Sequence, residues 1–342
     1  MKLTTEQIDE YNTCGAIIAR GALTHDDQQP LIDELSAWID ARARALHDED
    51  KIADLHEDAP FATRYGLLFK QCPEIGKGMD IMHYRGRAIF EFLRNENLLD
   101  LLESLLGPEL TCNPIQHLRA KPPQSCENRE GPSFHNAPWH QDAGVMMPEA
   151  EGSDVVTCWF PLAEATVEHG CMEVLLGQIA GGYLRHQSAG GTTIVPDVMP
   201  QVEPLALECK RGDVVLMDRF TPHRSTPNYS DQCRWSLDLR YQPTGQHTGR
   251  TGHPAVIARS RRDPHVGVLG LARTVDLAAH HRHLDGAPGL LDHLVDVIGE
   301  LYDVDVGAAA ARTGHQDGAL LAELQRLQYL EPGVDLFAGI VA

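Results

Sequence analysis

The 342-residue chain has no apolar run near the roughly 18 residues that a membrane-spanning helix needs. Its start, Met1-Lys2-Leu3-Thr4, passes directly into a polar, helix-like stretch and lacks the apolar core of a signal peptide. Its eight cysteines stand singly, with no C-x-x-C pair, which counts against a disulfide framework or a zinc knuckle. Positive charge is scarce: 29 lysines and arginines face 49 aspartates and glutamates, for a net charge of −20. Such a field repels phosphate backbones and argues against a nucleic-acid partner. Internal repeats and low-complexity tracts are also missing. These absences point to a cytoplasmic protein with reduced thiols, a small-molecule substrate, and neither nucleic acid nor membrane as a partner. The length suits one barrel-sized domain with appendages.

Three textures follow one another along the chain. Residues 1–108 look helical with one strand. The Thr4/Gln7 spacing predicts a capping box opening a helix to about Thr13, and Gly15–Arg20 reads as a short strand. Apolar residues at Leu31, Leu35, Trp38, Ile39 and Leu46 predict a helix from about Asp26, and a further helix is expected over Arg87–Leu106, ended by Gly107-Pro108. From Glu109 to about residue 245 short β-like runs recur: Leu110–Leu118, Val155–Leu162, Met172–Leu176, Val202–Leu207, Val214–Met217 and Cys233–Tyr241. Turn residues separate them, which indicates a barrel or sandwich. Long loops at 119–137, 143–154 and 178–201 suit binding loops on a β scaffold. Residues 263–342 revert to amphipathic helix, expected to pack on the core or on a partner subunit, with a homodimer as one option.

The chemistry-bearing candidates are histidines paired with aspartates. Two imidazoles and a carboxylate bind a non-haem Fe(II) on one face and leave the other positions open. The pattern H-x-D occurs five times, at His25/Asp27, His56/Asp58, His140/Asp142, His283/Asp285 and His315/Asp317. On a strand, residues i and i+2 share a face about 6–7 Å apart, whereas on a helix they diverge. Only His140/Asp142 lies in the β-rich region, after the extended Pro138-Trp139 step, so that copy is selected. A third ligand should come from another strand, and His223 lies in a short extended segment beyond the Gly212-Asp213 turn. Taken alone, His223 also fits a hydrogen-bonded surface histidine.

The combination His140-Gln141-Asp142, Cys158-Trp159-Phe160-Pro161-Leu162, Glu168-His169-Gly170, Gly212-Asp213, His223, Ser225 and Arg234 resembles the phytanoyl-CoA dioxygenase family of Fe(II)- and 2-oxoglutarate-dependent oxygenases. Arg234 stands eleven residues after His223, as in that family. The resemblance covers roughly residues 1–260 and implies a mainly β fold, a double-stranded β-helix (jelly-roll, cupin-like) core with flanking helices. It implies that His140, Asp142 and His223 are the catalytic metal ligands. It also implies that Arg234 and Ser225 hold the distal carboxylate of 2-oxoglutarate, with Trp159 and His117 lining the cosubstrate. A planar guanidinium fork suits a carboxylate.

The implied reaction consumes 2-oxoglutarate and O2, releases succinate and CO2, and hydroxylates an unactivated C–H bond of a small organic molecule. A secondary metabolite, an amino acid derivative or a lipid would fit, with desaturation or cyclisation as variants. Asp142 favours hydroxylation, desaturation or ring formation over halogenation, since related halogenases lack that carboxylate. A cupin-like metal-dependent enzyme without 2-oxoglutarate, or a jelly-roll binding module, is the competing reading; Arg234 and Ser225 weigh against it. Phe134, Trp139, Met146 and Met147 flank the ligand segment as pocket or core residues. Tyr183, Arg185 and His186 read as lid or solvated loop. Arg224 and Arg240 are expected to point away from the His223 and Arg234 face.

Overall fold

Thr4 opens the first helix, α1 (Thr5–Cys14), through the expected capping box: its hydroxyl accepts from Gln7 N, and the Gln7 side chain accepts from Thr4 N. Thr24 does the same for α2 (His25–Asp48) with Asp27, and α2 buries Leu31, Leu35, Ile39 and Leu46. Asp27 also accepts from Asn95 and Asn97, so the first H-x-D copy is spent on joining helix ends. The computed structural model describes residues 1–263 apart from 82, 85, 128–134, 190 and 251–254. The chain divides into two compact units, Met1–Ala278 and Ala279–Ala342, and all described residues belong to the first. The helical C-terminal extension, the H-x-D copies beyond residue 280, and Phe134 fall outside the described residues.

Two expectations about the helices change. The helix expected over Arg87–Leu106 is two helices, α4 (Arg87–Phe92) and α5 (Glu96–Leu106). The break has a local cause: Asn95 leaves helical geometry and its side chain accepts from Leu98 N at 3.0 Å, starting a new helix by N-capping. A further helix, α3 (Phe61–Gln71), lies where the sequence had suggested nothing. Its Phe61 and Tyr65 rings pack on Trp235 at centroid distances of 4.8 and 5.1 Å.

The β region is antiparallel throughout. A six-stranded sheet runs in the order β1 (Ala16–Ala19), β8 (Val214–Asp218), β3 (Val156–Pro161), β10 (Arg234–Pro243), β2 (Glu109–Lys121) and β11 (Val256–Ser260). A three-stranded sheet holds β7 (Leu205–Leu207), β4 (Met172–Val174) and β9 (His223–Ser225). The loop expected at 178–201 carries a hairpin, β5 (His186–Ser188) with β6 (Thr192–Ile194). The large sheet has an apolar face toward the helices, where Trp235, Leu237, Leu239 and Tyr241 of β10 join one core with residues of α2, α3 and α5. Its other face meets the small sheet, and Trp159, Val215 and Met217 pack there with Met172, Val174 and Leu207.

Strand alternation makes the inner face polar where the site lies. On β10 the residues between the core side chains are Arg234, Ser236, Asp238, Arg240 and Gln242. Register places Lys121 opposite Arg234 and His117 opposite Asp238 on β2, with Trp159 opposite Asp238 on β3. An irregularity in β2 near Asn113-Pro114-Ile115 interrupts the β2–β10 ladder between Leu239 and Tyr241. It frees the Ile115 carbonyl to accept from Arg240 Nη1 at 3.2 Å.

Candidate active site

His140 and His223 meet as a two-residue bridge between separate chain segments. Each backbone N–H donates to the other's carbonyl, at 3.0 and 2.9 Å. Each imidazole turns Nδ1 toward a backbone carbonyl, Pro138 O at 2.8 Å for His140 and Thr221 O at 3.0 Å for His223. That contact fixes both rings in the tautomer with Nδ1 protonated and leaves Nε2 as the free donor to a metal. The ring centroids are 4.2 Å apart. Burial, and then the neighbouring His223, pull the His140 imidazole down to about 4, so it is neutral at physiological pH. One side of the residue stays open, leaving it half-buried.

The step from His140 to Asp142 is not a regular strand, contrary to the expectation that selected this pair. Gln141 is extended, and Asp142 is the first residue of a short 3-10 turn, Asp142–Val145. One extended residue suffices: His140 and Asp142 still face the same way, and one ligand atom from each of His140, Asp142 and His223 lies within 4.8 Å of the others. Gln141 points the opposite way and acts as a fastener. Its amide donates to Phe220 O and Gly182 O at 2.7 and 2.9 Å, and its carbonyl oxygen accepts from Leu184 N at 2.7 Å. The segment that presents the ligands is thereby tied to the chain leading into His223.

Asp142 is fully buried and both of its oxygens are engaged. Arg240 Nη2 donates to one and the Thr157 hydroxyl to the other. Burial alone pushes the carboxyl up, but the adjacent Arg240 charge, aided by His223 and His140, holds it well below the usual carboxylate range. Arg240 is itself buried; Asp142 and Asp238 outweigh that burial and raise it above its ordinary value. The expectation that Arg240 points away is therefore wrong. The offset of six from Arg234 is even, and even offsets share a strand face. Arg224 does point away: it pairs with Glu173 at 2.7 Å on the outer side of β9 and lies 4.8 Å over the Trp139 ring.

Arg234 is 3% exposed, and its Nε has no hydrogen-bond partner among the described residues. Its guanidinium sits 5.4 Å over the Trp159 ring. Burial lowers it to about 10, so it remains a cation. Ser236 Oγ, Asp238 Oδ1 and Arg240 Nε on the same face of β10 are also buried without partners among the described residues. A row of unsatisfied polar atoms along one strand face is costly unless a polar ligand or water meets it. Ser225 Oγ accepts from Lys121 Nζ, a contact the sequence reading missed. His117 is half-buried and holds Asp80 at 3.0 Å through Nδ1.

The two groups of residues are linked strand by strand. β9 carries His223 and, one i+2 step on, Ser225. β3 carries Thr157, which bonds Asp142, and one i+2 step on, Trp159, which lies under Arg234. That step is about 6–7 Å, the length scale of a five-carbon dicarboxylate. The His-Asp-His donor set and a buried guanidinium with no acidic hydrogen-bond partner among the described residues thus fit iron with such a diacid. The chain matches the family model for phytanoyl-CoA dioxygenase (PhyH) over residues 11–236.

The chain belongs to the phytanoyl-CoA dioxygenase family.

It is 23% identical over 268 residues to the phytanoyl-CoA dioxygenase domain-containing protein 1 homolog of Dictyostelium discoideum, a match covering 70% of this chain and 92% of that one. The Bos taurus protein of that name is 25% identical over 290 residues, covering 71% and 96% respectively. Among solved structures, EvdO2 from Micromonospora carbonacea var. aurantiaca, complexed with 2-oxoglutarate, shares 25% identity at a TM-score of 0.43, over 71% of this chain and 91% of that one. Family membership and the donor set make this chain an iron- and 2-oxoglutarate-dependent oxygenase in general kind. Among the described residues no helix is long and apolar enough to cross a membrane.

Proposed function

We propose that this protein hydroxylates an unactivated C–H bond of a small organic molecule, with His140, Asp142 and His223 holding Fe(II) inside a double-stranded β-helix. Arg234 and Ser225 hold the distal carboxylate of 2-oxoglutarate, and Trp159 and His117 border it. The observation that carries this reading is the pairing of a convergent His-Asp-His donor set with a buried arginine that has no acidic partner among the described residues. Bound iron would supply oxygen activation coupled to loss of CO2 from 2-oxoglutarate, leaving succinate. The protein's part is orientation and shielding. Pro138 O and Thr221 O fix the imidazole tautomers, and Arg240 with Thr157 fix the Asp142 carboxylate and balance its charge. Trp159 excludes water beneath Arg234, where a carboxylate gains most from a guanidinium.

A hollow of about 670 Å³ beside the ligand segment is bordered by Trp139, Ile194, Met199, Arg224 and Ser225, which offers a substrate an apolar wall and one cation. Met147 is exposed, as is Tyr183, whose ring lies tilted against His186 at a centroid distance of 5.2 Å. The test is spectroscopic. Under anaerobic conditions Fe(II) and 2-oxoglutarate should give the weak visible charge-transfer band of the chelate, and His140→Ala and Arg234→Ala should lose it. Absence of the band in the native protein, or its survival in both variants, defeats the reading.

A further inference from the structure

Arg234 on β10 and Lys121 on β2 face each other in register, and both are nearly sealed from solvent, at 3% and 2% exposure. Like charges placed directly opposite destabilise a sheet, and buried ones do so more. Neither is bonded to a carboxylate among the described residues. The three bonds of Lys121 Nζ go to neutral oxygens: Asn136 Oδ1 at 2.8 Å, Ser225 Oγ and the Thr226 carbonyl. Arg234 and Lys121, buried side by side with no carboxylate bonded to either among the described residues, make a built anion site. Lys121 also ties β2 of the large sheet to β9 of the small one, at the residue next but one to His223.

We infer that Lys121 is a positioning residue of the cosubstrate clamp: it takes up a proton as the dicarboxylate enters, and its ammonium then turns the Ser225 hydroxyl hydrogen toward the carboxylate held by Arg234. This rests on the assignment of Arg234 and Ser225 to the distal carboxylate. The coupling follows from donor counts. A neutral amine has two N–H donors and a lone pair, so one of its three contacts reverses, and Ser225 O–H donates to Nζ. An ammonium has three donors and no acceptor, so Ser225 Oγ accepts and its own hydrogen is released for the carboxylate. The proton comes from solvent, and no covalent bond to carbon changes.

The charge environment favours the switch. Burial, then the charge of Arg234, lowers Lys121 to about 6, so the cosubstrate-free residue is mainly the neutral amine at pH 7.5. Glu127 and Cys171 act in the opposite direction on Lys121; Cys233, Cys171 and Asp238 raise Arg234 while Arg119 lowers it, and His135 also stands beside the pair. A carboxylate set beside Arg234 and Ser225 raises Lys121 and restores its proton. Affinity for 2-oxoglutarate accordingly strengthens as pH falls from 8 toward about 6.

The experiment is anaerobic calorimetric titration of the full-length Fe(II)-loaded protein at pH 7.5, in buffers of different ionisation enthalpy. The probes are 2-oxoglutarate and 2-oxovalerate, which lacks the distal carboxylate. The native protein should take up close to one proton per 2-oxoglutarate and almost none per 2-oxovalerate. Lys121→Met and Lys121→Gln should abolish the uptake, which separates Lys121 from His135, and weaken 2-oxoglutarate roughly 10- to 100-fold, the worth of a charge-assisted bond. Binding of 2-oxovalerate should not change. Proton uptake near zero in the native protein overturns the inference even if neither variant folds, and so does equal weakening of both ligands. Failure of the native protein to bind 2-oxoglutarate at all instead removes the clamp assignment beneath it.

Discussion

Replacing Arg240 by methionine tests whether the site's carboxylate owes its charge to one buried arginine. The substitution keeps an apolar stem but removes the Nη2 bond to Asp142, the 3.2 Å bond to Ile115 O and a weaker contact to Asp238 at 3.4 Å. Arg240 and Asp142 are 3% and 0% exposed, so solvent cannot take over. Breaking such a pair from one side costs about 3–5 kcal/mol because it strands a buried charge. In the native protein Asp142 titrates below its unfolded value of about 3.9, so its stabilising contribution is complete above that pH and is lost as pH falls through the lower folded value. In Arg240→Met, burial dominates and the folded value rises above the unfolded one. The sign then reverses: the carboxylate destabilises at neutral pH and is relieved by protonation. Urea denaturation of metal-free protein at pH 7.5, 6.5 and 5, followed by tryptophan fluorescence, should show the deficit shrinking with acidification, toward about 1 kcal/mol for the lost bond to Ile115. Adding Asp142→Asn to Arg240→Met should recover part of the loss, since removing both partners strands no charge. A pH-independent deficit, or one below about 1 kcal/mol at pH 7.5, as for an exposed pair, would refute the reasoning.

Thr157→Val keeps the side-chain shape but deletes the hydroxyl that donates to Asp142; a competing chromophoric chelator should report divalent-metal affinity lowered about 10- to 100-fold, with the fold intact. Because the folded His140 value is lowered to about 4, below an unfolded value near 6.5, the unfolded chain binds the proton first. Metal-free stability should therefore be full above about pH 6.5 and fall toward pH 4, and His140→Asn should flatten that slope in a pH series of thermal melts. Gly170 has φ +71°, and a Cβ there would lie 2.5 Å from Thr226 O. Gly170→Ala should cost about 1–3 kcal/mol by thermal melt, and the displaced chain after Ser225 should weaken 2-oxoglutarate binding.

How much of this was legible in the sequence depended on whether the deciding signal was local. The capping boxes at Thr4 and Thr24 need only four consecutive residues, and the structure shows both. The metal trio needed one extended residue, Gln141, and a second segment carrying His223, and their ligand atoms do converge. The break at Asn95 could have been read from an N-capping residue inside an otherwise continuous helical pattern. Lys121 could not be read, because its meaning depends on standing opposite Arg234, and that register is set across strands more than a hundred residues apart. Since the side-chain period of a strand is two, a one-residue slip would have turned Lys121 out of the site. Arg240 is different, because its signal was present and was misread. In Arg234–Gln242 every odd-numbered residue is large and apolar and every even-numbered one is polar, although the strand lies between two neighbours and is almost wholly buried. A central strand with two apolar faces needs no such alternation. Polar residues at every second position of a buried strand therefore mark a face that must meet something polar, and counting from Arg234 in twos reaches Arg240.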